Sequence, residues 1–414
     1  MRLRRGLALA AGIAGIALLL VVLAAAVVMQ PQRLARLVLG GVGDGLGLDI
    51  SFEGEARYRL RGTPMLEVHA VAVRQPGEAA PLLRASRVLV ALPWSTVRTR
   101  AAPLALERIE LDAPVLDLRR LQVWLASRPP GDGGLPTLSD GVTVRDGRVL
   151  AEGWELQDIH LRVPEFSADA PLAAHARGSF LLASPTRIHF DLHAAATRPA
   201  NGAGIGVRGP VRVEHADWTL PAFITASGPL QIADGRVHVT PLRFGADAEF
   251  RGEGAPLVFA LGAHGPLRLR DGTWTLVPLT VALRGQGVVP MFNATGRAAL
   301  GPALLLDLEG AMADWPDAWP ALPAPLGAST SPFAFALRYA GAMDLTDPAS
   351  LHASRDEARA EVDARVFEVL DWMDAAAAGS PLPPLRARAS APRIEVPGGT
   401  LHGVELGIDP GEAP

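Results

Sequence analysis

The pattern of apolar and polar residues changes once along this chain, from a single long apolar run to alternation. Residues 7–28 form an uncharged apolar run that follows Arg2, Arg4 and Arg5, and no later stretch resembles it. As a helix these 22 residues would span roughly 33 Å, enough for a bilayer hydrocarbon core of about 30 Å. The run therefore predicts a membrane anchor, which together with a short cytoplasmic tail occupies residues 1–29.

A cleaved secretory signal is the alternative, because Ala24, Ala25 and Ala26 supply small residues at a possible processing site. Signal peptides usually have an apolar region of about 7 to 15 residues, and this run is longer, so an uncleaved anchor is favoured. The arginines that precede the run favour a cytoplasmic N-terminus. The rest of the chain is then expected on the other side of the membrane.

From Ile50 onward the dominant period is two, which is typical of strands with one dry and one wet face. The alternation is clearest at residues 211–214, 236–239, 267–270, 304–309 and 333–340. Asp-Gly pairs at 146–147, 234–235 and 271–272 indicate two-residue hairpin turns. The predicted fold is mainly β: a transmembrane helix and then a long curled antiparallel sheet, shaped as a groove or open barrel-like trough, with a few short helices.

The dry face of such a sheet needs an apolar partner, since each Leu or Phe left in water forgoes about 1.5 to 3 kcal/mol. Short helices are predicted only at 32–39, 118–126 and 367–373, too few to cover it. The sheet must therefore fold around a filled core or curl into a trough that holds an apolar guest. The periodicity alone does not distinguish a filled core from a trough, and the physical argument from the sequence favours the filled core.

Breaks in the pattern predict the domain organisation. Residues 128–136 read as a loop, and the prolines of 314–325 exclude regular sheet there. The predicted regions are 1–29, then 30–128 with a short helix followed by strands, a linker at 129–140, and a β-rich groove region at 141–414.

Composition limits the function classes. The chain has no Cys, which excludes disulfides and cysteine-ligated metals. Its 39 basic and 43 acidic residues give a net charge of -4, which does not support nucleic-acid binding.

Candidate chemistry is sparse. His189, Asp191 and His193 are potential metal ligands on one strand face, but they alternate with apolar residues as a solvated face would, so no metal site is predicted. Residues 204–209 match the Gly-x-Gly-x-x-Gly fingerprint, yet the alternation after Pro210 predicts a strand rather than the required helix. No catalytic constellation is visible, and we predict a non-enzymatic protein without catalytic, metal or cofactor sites.

Two groups of segments resemble the AsmA family of bacterial envelope proteins. The first follows the apolar run and comprises 48–54 (LDISFEG), 64–73 (PMLEVHAVAV), 85–92 (ASRVLVAL) and 106–118 (LERIELDAPVLDL). The second comprises 380–385 (SPLPPL), 391–396 (APRIEV) and 399–406 (GTLHGVEL). The order of these segments over more than half of the chain carries the resemblance.

The resemblance implies a single-pass protein of the bacterial inner membrane, with a cytoplasmic N-terminus and most of the chain in the periplasm. It implies a β-structure related to bridge-like lipid-transfer proteins, whose apolar groove binds lipid acyl chains for phospholipid transport or outer-membrane assembly and homeostasis. The expected partners are membrane phospholipids and envelope or outer-membrane assembly proteins. The dry-face residues expected to line the groove are Ile188, Phe190, Leu192, Phe259, Phe333, Phe335 and Leu337.

Trp315 and Trp319 are expected to form a lid or an interface, or else to plug one end of a β-core. The alternative function is a structural or assembly factor for secretion or outer-membrane proteins, similar to component N of type II secretion machinery. That alternative predicts a closed, well-packed interior.

Overall fold

The computed structural model describes a set of ranges that begins near residue 32. These are residues 32, 35–36, 39–40, 43–44, 47–59, 61–94, 106–127, 137–167, 169–182, 185–198, 201–233, 236–252, 254–270, 272–301, 303–319, 321–343, 345–375, 383–396 and 399–409. The predicted anchor at 7–28 and residues 129–136 of the predicted linker lie outside them. Among the described residues, no helix has both the length and the apolar character needed to cross a membrane.

The described chain is mainly β, with 22 strands in one mixed hydrogen-bonded sheet. It divides into two compact units, the first comprising Met1–Glu152 and Asp158–Ser167 and the second Gly153–Gln157 and Ala168–Pro414. The elements up to the division are β1 Asp49–Phe52, β2 Ala56–Arg59, β3 Met65–Arg74, β4 Leu83–Ala91, β5 Arg108–Asp112, β6 Val115–Asp117, α1 Leu118–Ser127, β7 Val142–Ala151 and β8 Trp154–Val163.

Strand β3 is the centre of the first unit, because β1 and β2 pair with it on one side and β4 on the other. Its buried residues alternate as expected up to Val68, which is 1% exposed. Ala70 has a φ of 52°, and Val71 and Val73 are buried beyond it. This bulge-like irregularity keeps both halves of the strand facing one core, and helical Leu39 packs into the same core.

One part of the first unit departs from the predicted antiparallel pairing. Strand β7 runs parallel to β5 and β6. A parallel neighbour requires a crossover connection, and the segment between β6 and β7, which contains α1, provides it. The hairpin predicted at Asp146-Gly147 is wrong: both residues lie inside β7. Asp146 has a φ of 54° and faces the break between β5 and β6, so the pair accommodates an irregularity rather than a turn.

The second unit is an antiparallel meander in which each strand from β9 to β22 pairs with the next along the chain. Its elements are β9 Leu172–Leu182, β10 Arg187–Ala196, β11 Ala203–His215, β12 Trp218–Ala233, β13 Arg236–Phe250, β14 Leu257–Arg270, β15 Thr273–Gly285, β16 Phe292–Leu300, β17 Leu304–Met312, β18 Phe333–Gly341, β19 Ala349–Arg355, β20 Ala358–Ala364, α2 Val366–Ala375, β21 Leu385–Val396 and β22 Gly399–Ile408.

Several local predictions are confirmed. The pairings Ala233↔Arg236 and Arg270↔Thr273 leave two residues between the strands, as expected for hairpins at 234–235 and 271–272. Helix α1 covers the predicted 118–126, and α2 covers the predicted 367–373. The described residues of 314–325 contain no strand longer than an isolated bridge.

The pairing register sorts the residues of the second unit onto two chemically different faces. Residues directly opposite one another point to the same side of the sheet. One row running from β10 to β18 consists of Ala194, Val207, Ala226, Phe244, Ala263, Val281, Ala294, Gly310 and Phe335. The neighbouring row on the other side consists of His193, Arg208, Thr225, Gly245, Gly262, Ala282, Asn293, Ala311 and Ala334. We call these sides the apolar face and the polar face.

The meander curls strongly, because residues far apart in strand order meet on its apolar face. Phe367 at the start of α2 stacks on Trp218 of β12 with ring centroids 4.8 Å apart, and lies 5.8 Å from Phe250 of β13. Eight strand-to-strand steps separate β12 from β20, which would be about 38 Å in a flat sheet. At 20 to 25° of twist per step the strand direction also turns by roughly 160 to 200°. Curl and twist together bring the start of α2 next to the first residue of β12, Trp218.

Candidate functional site

The apolar face of the second unit collects all seven residues predicted to line a groove. Phe190 and Phe259 belong to one cross-strand row, through Val211, Ala222 and Ala248. Ile188 and Leu192 flank Phe190 on the same face of β10, and Phe333, Phe335 and Leu337 follow one another on the same face of β18. All seven are half-buried.

The apolar face combines a filled centre with accessible flanks. Leu279, Val281, Ala294 and Leu308 form a buried cluster over β15 to β17, against which Phe335 packs. Away from this centre the face retains apolar side chains in partial contact with solvent, including those of β10. We call this apolar surface, from β9 to β18, the trough.

A cavity of about 460 Å³ opens in the trough over β9 to β12. Side chains on β10 shrink toward it, from Phe190 and Leu192 to Ala194 and Ala196. The small side chains leave the space, and most of the side chains around it are apolar, with Arg198 and Asn201 also in the lining. The residues on its wall are Leu172, Ala174, Ala194, Ala196, Ile205 and Val207.

The Gly-x-Gly-x-x-Gly match at 204–209 lies wholly inside β11, which also contains the strand predicted after Pro210, so no helix follows the motif. Gly209 has a φ of 153°, and a Cβ on it would lie 2.1 Å from the Asp191 carbonyl oxygen. This glycine allows two backbones to approach closely on the trough floor.

Trp315 and Trp319 lie in the connection from β17 to β18, at one end of the trough. The two indoles meet edge to face with centroids 4.8 Å apart, and Trp315 lies 5.1 Å from the ring of Phe333. Trp319 Nε1 donates a hydrogen bond of 2.8 Å to the Val288 carbonyl. Farther along the connection, Ala324 O accepts a hydrogen bond of 2.7 Å from Glu395 N. The connection is thus fixed to β21 and to the turn after β15, with one indole on the apolar face.

A larger cavity of about 850 Å³ lies on the polar face and differs in character from the trough. Its lining includes the charged residues Arg212, Asp247, Glu249, Arg251 and Arg284, and also Phe190 and Phe259, two of the residues predicted to line the groove. The Arg251 and Glu249 side chains pair at 2.7 Å, and Arg284 donates to Asn293 Oδ1 at 2.7 Å. The charged side chains make this cavity less favourable for an apolar guest than the trough, although apolar residues also line it.

The polar face of β9 and β10 holds a cluster that sequence reasoning missed. His175 of β9 pairs directly with His193 of β10, and Asp191 lies beside them. His189, which the sequence placed with Asp191 and His193, instead bonds to Ser179 Oγ at 2.9 Å and Glu214 at 3.2 Å. His175 joins the cluster because the register of β9 against β10 places it opposite His193. The spacing of residues within β10 alone gives no information about that register.

The first unit carries a charge network centred on Arg87 of β4. Its guanidinium contacts three carboxylates on the two strands that flank β4: Asp112 at 2.9 Å and Glu110 at 3.3 Å on β5, and Glu67 at 3.2 Å on β3. Arg145 of β7 reaches Asp112 at 3.0 Å and Glu110 at 3.3 Å. These cross-strand contacts stabilise the sheet around β5, which pairs antiparallel with β4 and parallel with β7.

The network lowers the pKa values of its acids. Burial alone would raise the pKa of Asp112, but hydrogen bonds from Arg87 and Arg145 outweigh it and the net pKa is lowered. Hydrogen bonding to His69 lowers the pKa of Glu67, with burial opposing and Arg87 adding to the effect. Both carboxylates are therefore stabilised in their charged form.

The fold and its apolar face define the class of protein: a one-sided antiparallel β-meander whose curled apolar surface is only partly covered by the residues that the structure describes. No protein-family model matches the chain, and no curated protein is similar enough to count as a match.

Proposed function

We propose that this chain is a non-enzymatic, AsmA-like protein that holds lipid acyl chains in the trough of its second unit. The observation that supports this most is the apolar face, which runs without a charged residue along the row from Ala194 to Phe335 and stays half-exposed at β10. A soluble protein that leaves a large apolar surface uncovered normally uses it for binding.

The mechanism is substitution of one apolar environment for another. Moving an acyl chain from a bilayer into water costs about 0.8 kcal/mol per CH₂, or roughly 13 kcal/mol for sixteen carbons. A trough lined by Phe190, Leu192 and Val207 removes most of that cost, while the head group stays in water. Transfer is then nearly neutral in free energy, and a gradient or partner sets its direction.

The proposed setting is the bacterial inner membrane, with residues 7–28 as the anchor and the sheet in the periplasm. The arginines before that run and its length support this placement. Phospholipid transport or outer-membrane assembly and homeostasis are the processes such a protein would serve.

The test is phospholipid co-purification with the full chain, extracted gently and measured by mass spectrometry. Val207→Asp places a carboxylate in the trough and is expected to reduce bound phospholipid at least tenfold, because a buried unpaired charge is strongly unfavourable. Ala194→Trp fills the cavity without adding charge and is expected to reduce it in the same direction. Both variants are first checked by circular dichroism for an intact sheet.

The matched control is Thr225→Asp, an equal charge at an exposed position of the polar face on the next strand. It is expected to leave bound phospholipid unchanged. Absence of phospholipid from the unmodified chain, or equal loss in all three folded variants, would refute the proposal. Recovery of a stoichiometric protein partner without lipid would instead support a structural or assembly role.

A further inference from the structure

The polar face of β9 and β10 presents two imidazoles and one carboxylate at a single point. We propose that His175, Asp191 and His193 bind one divalent transition-metal ion of the Zn²⁺ type. This site lies on the opposite side of the sheet from the trough and is independent of lipid binding.

The geometry brings the three side chains together on two paired strands. The rings of His175 and His193 are stacked with centroids 4.4 Å apart and planes inclined by 8°. His175 Nε2 lies 2.5 Å from Asp191 Oδ1. One ligating atom from each residue lies within 4.8 Å of the others.

Modest side-chain rotation converts this arrangement into a coordination set. Tetrahedral Zn²⁺ with bonds of about 2.0 to 2.1 Å holds its donors roughly 3.3 Å apart. Continuous pairing with β9 holds the backbone of all three residues, while the pairing of β10 with β11 is interrupted at Asp191 and Leu192. Rotation about the histidine side-chain bonds suffices to turn the stacked rings toward a common point.

The donor types select the ion class. Two imidazoles with one carboxylate suit Zn²⁺, Ni²⁺ or Cu²⁺ rather than Ca²⁺ or Mg²⁺, which take oxygen ligands. Three protein donors leave at least one coordination position for water.

Neighbouring charges limit the affinity. Arg177 is the cross-strand partner of Asp191, and Arg208 is that of His193. Two guanidiniums near a single carboxylate oppose the approach of a cation. We therefore expect micromolar rather than nanomolar binding.

The experiment is calorimetric titration of Zn²⁺ alone into the full chain after chelator treatment. The expected result is one saturable site, with its dissociation constant raised more than about tenfold in His175→Ala and in His193→Ala. Asp191→Asn, which keeps the shape and removes the charge, should also weaken binding. Circular dichroism verifies that each variant keeps its sheet.

The control is His189→Ala, which removes an imidazole from the same strand face but outside the cluster. It should leave the dissociation constant within about twofold of the unmodified chain. Absence of saturable binding, or an equal loss in His189→Ala, would overturn the proposal. Co²⁺ substitution adds a second readout, since tetrahedral coordination gives visible absorption bands that must disappear in His175→Ala.

Discussion

The aromatic contact between α2 and β12 is the point at which the curl of the meander is most open to test. Phe367→Ala removes a ring that contacts Trp218 and Phe250, which themselves lie 5.6 Å apart. Without that ring, α2 loses its aromatic contacts with β12 and β13, which lie eight and seven strands from β20 in the meander. We expect α2 to open locally far more often.

The magnitude follows from the contacts. Each aromatic pair contributes about 0.5 to 1.5 kcal/mol beyond its area, so the loss of two costs about 1 to 3 kcal/mol. Half-burial of Phe367 adds about 1 kcal/mol of transfer free energy. The sum, about 2 to 4 kcal/mol, corresponds to a roughly 30- to 700-fold loss of amide protection in α2.

The assay is hydrogen exchange with mass spectrometry on peptides that cover α2 and the start of β12. Phe223→Ala is the matched control, since it removes the same side chain from the polar face of β12, where Phe223 is 46% exposed. The control should leave α2 protection unchanged. Equal protection of α2 in the unmodified and Phe367→Ala proteins would refute the inferred closure of the curl.

Four further predictions concern the sheet and its connections. Gly209→Ala should destabilise β10 and β11 by more than about 2 kcal/mol in hydrogen exchange, because its Cβ would meet backbone, whereas Gly206→Ala has open space and should be nearly neutral. Arg87→Met should lower first-unit stability by about 1 to 3 kcal/mol in urea unfolding, and an unchanged midpoint would contradict the charge network. Stability that depends on the lowered pKa of Asp112 is present above its unfolded pKa of about 3.9 and is lost as pH falls through the lower folded value; a first unit indifferent to pH below 4 would contradict this. Trp319→Phe should cost about 1 kcal/mol and speed exchange at 286–291; unchanged exchange there would argue against the hydrogen bond to the preceding turn.

Much of the fold could be predicted from the alternation of apolar and polar residues. One face of each strand is apolar, and a one-residue slip in register would move its apolar side chains to the opposite face. The strand after Pro210, helices α1 and α2, and two of the three Asp-Gly hairpins follow from local chemistry. The third Asp-Gly pair failed because its neighbours are set by β5 and β6, which are distant in sequence. The parallel pairing of β7 was inaccessible for the same reason.

The candidate site was accessible only in part. Alternation placed Phe190, Phe259 and Phe335 on a common face, since that depends on period alone. The cavity beside Ala194 depends on how small side chains from several strands coincide, and the His175 cluster depends on cross-strand register. Neither property is carried by any single segment of sequence.

The central claim is that the trough, and not the polar face, contacts acyl chains. The direct measurement places a photoreactive phenylalanine analogue at Val207 and, separately, at Thr225, in the full chain within cells, and identifies the adducts by mass spectrometry after illumination. We predict phospholipid adducts at Val207 and none at Thr225. Adducts of equal yield at both positions, or none at Val207 in a folded protein, would contradict the account.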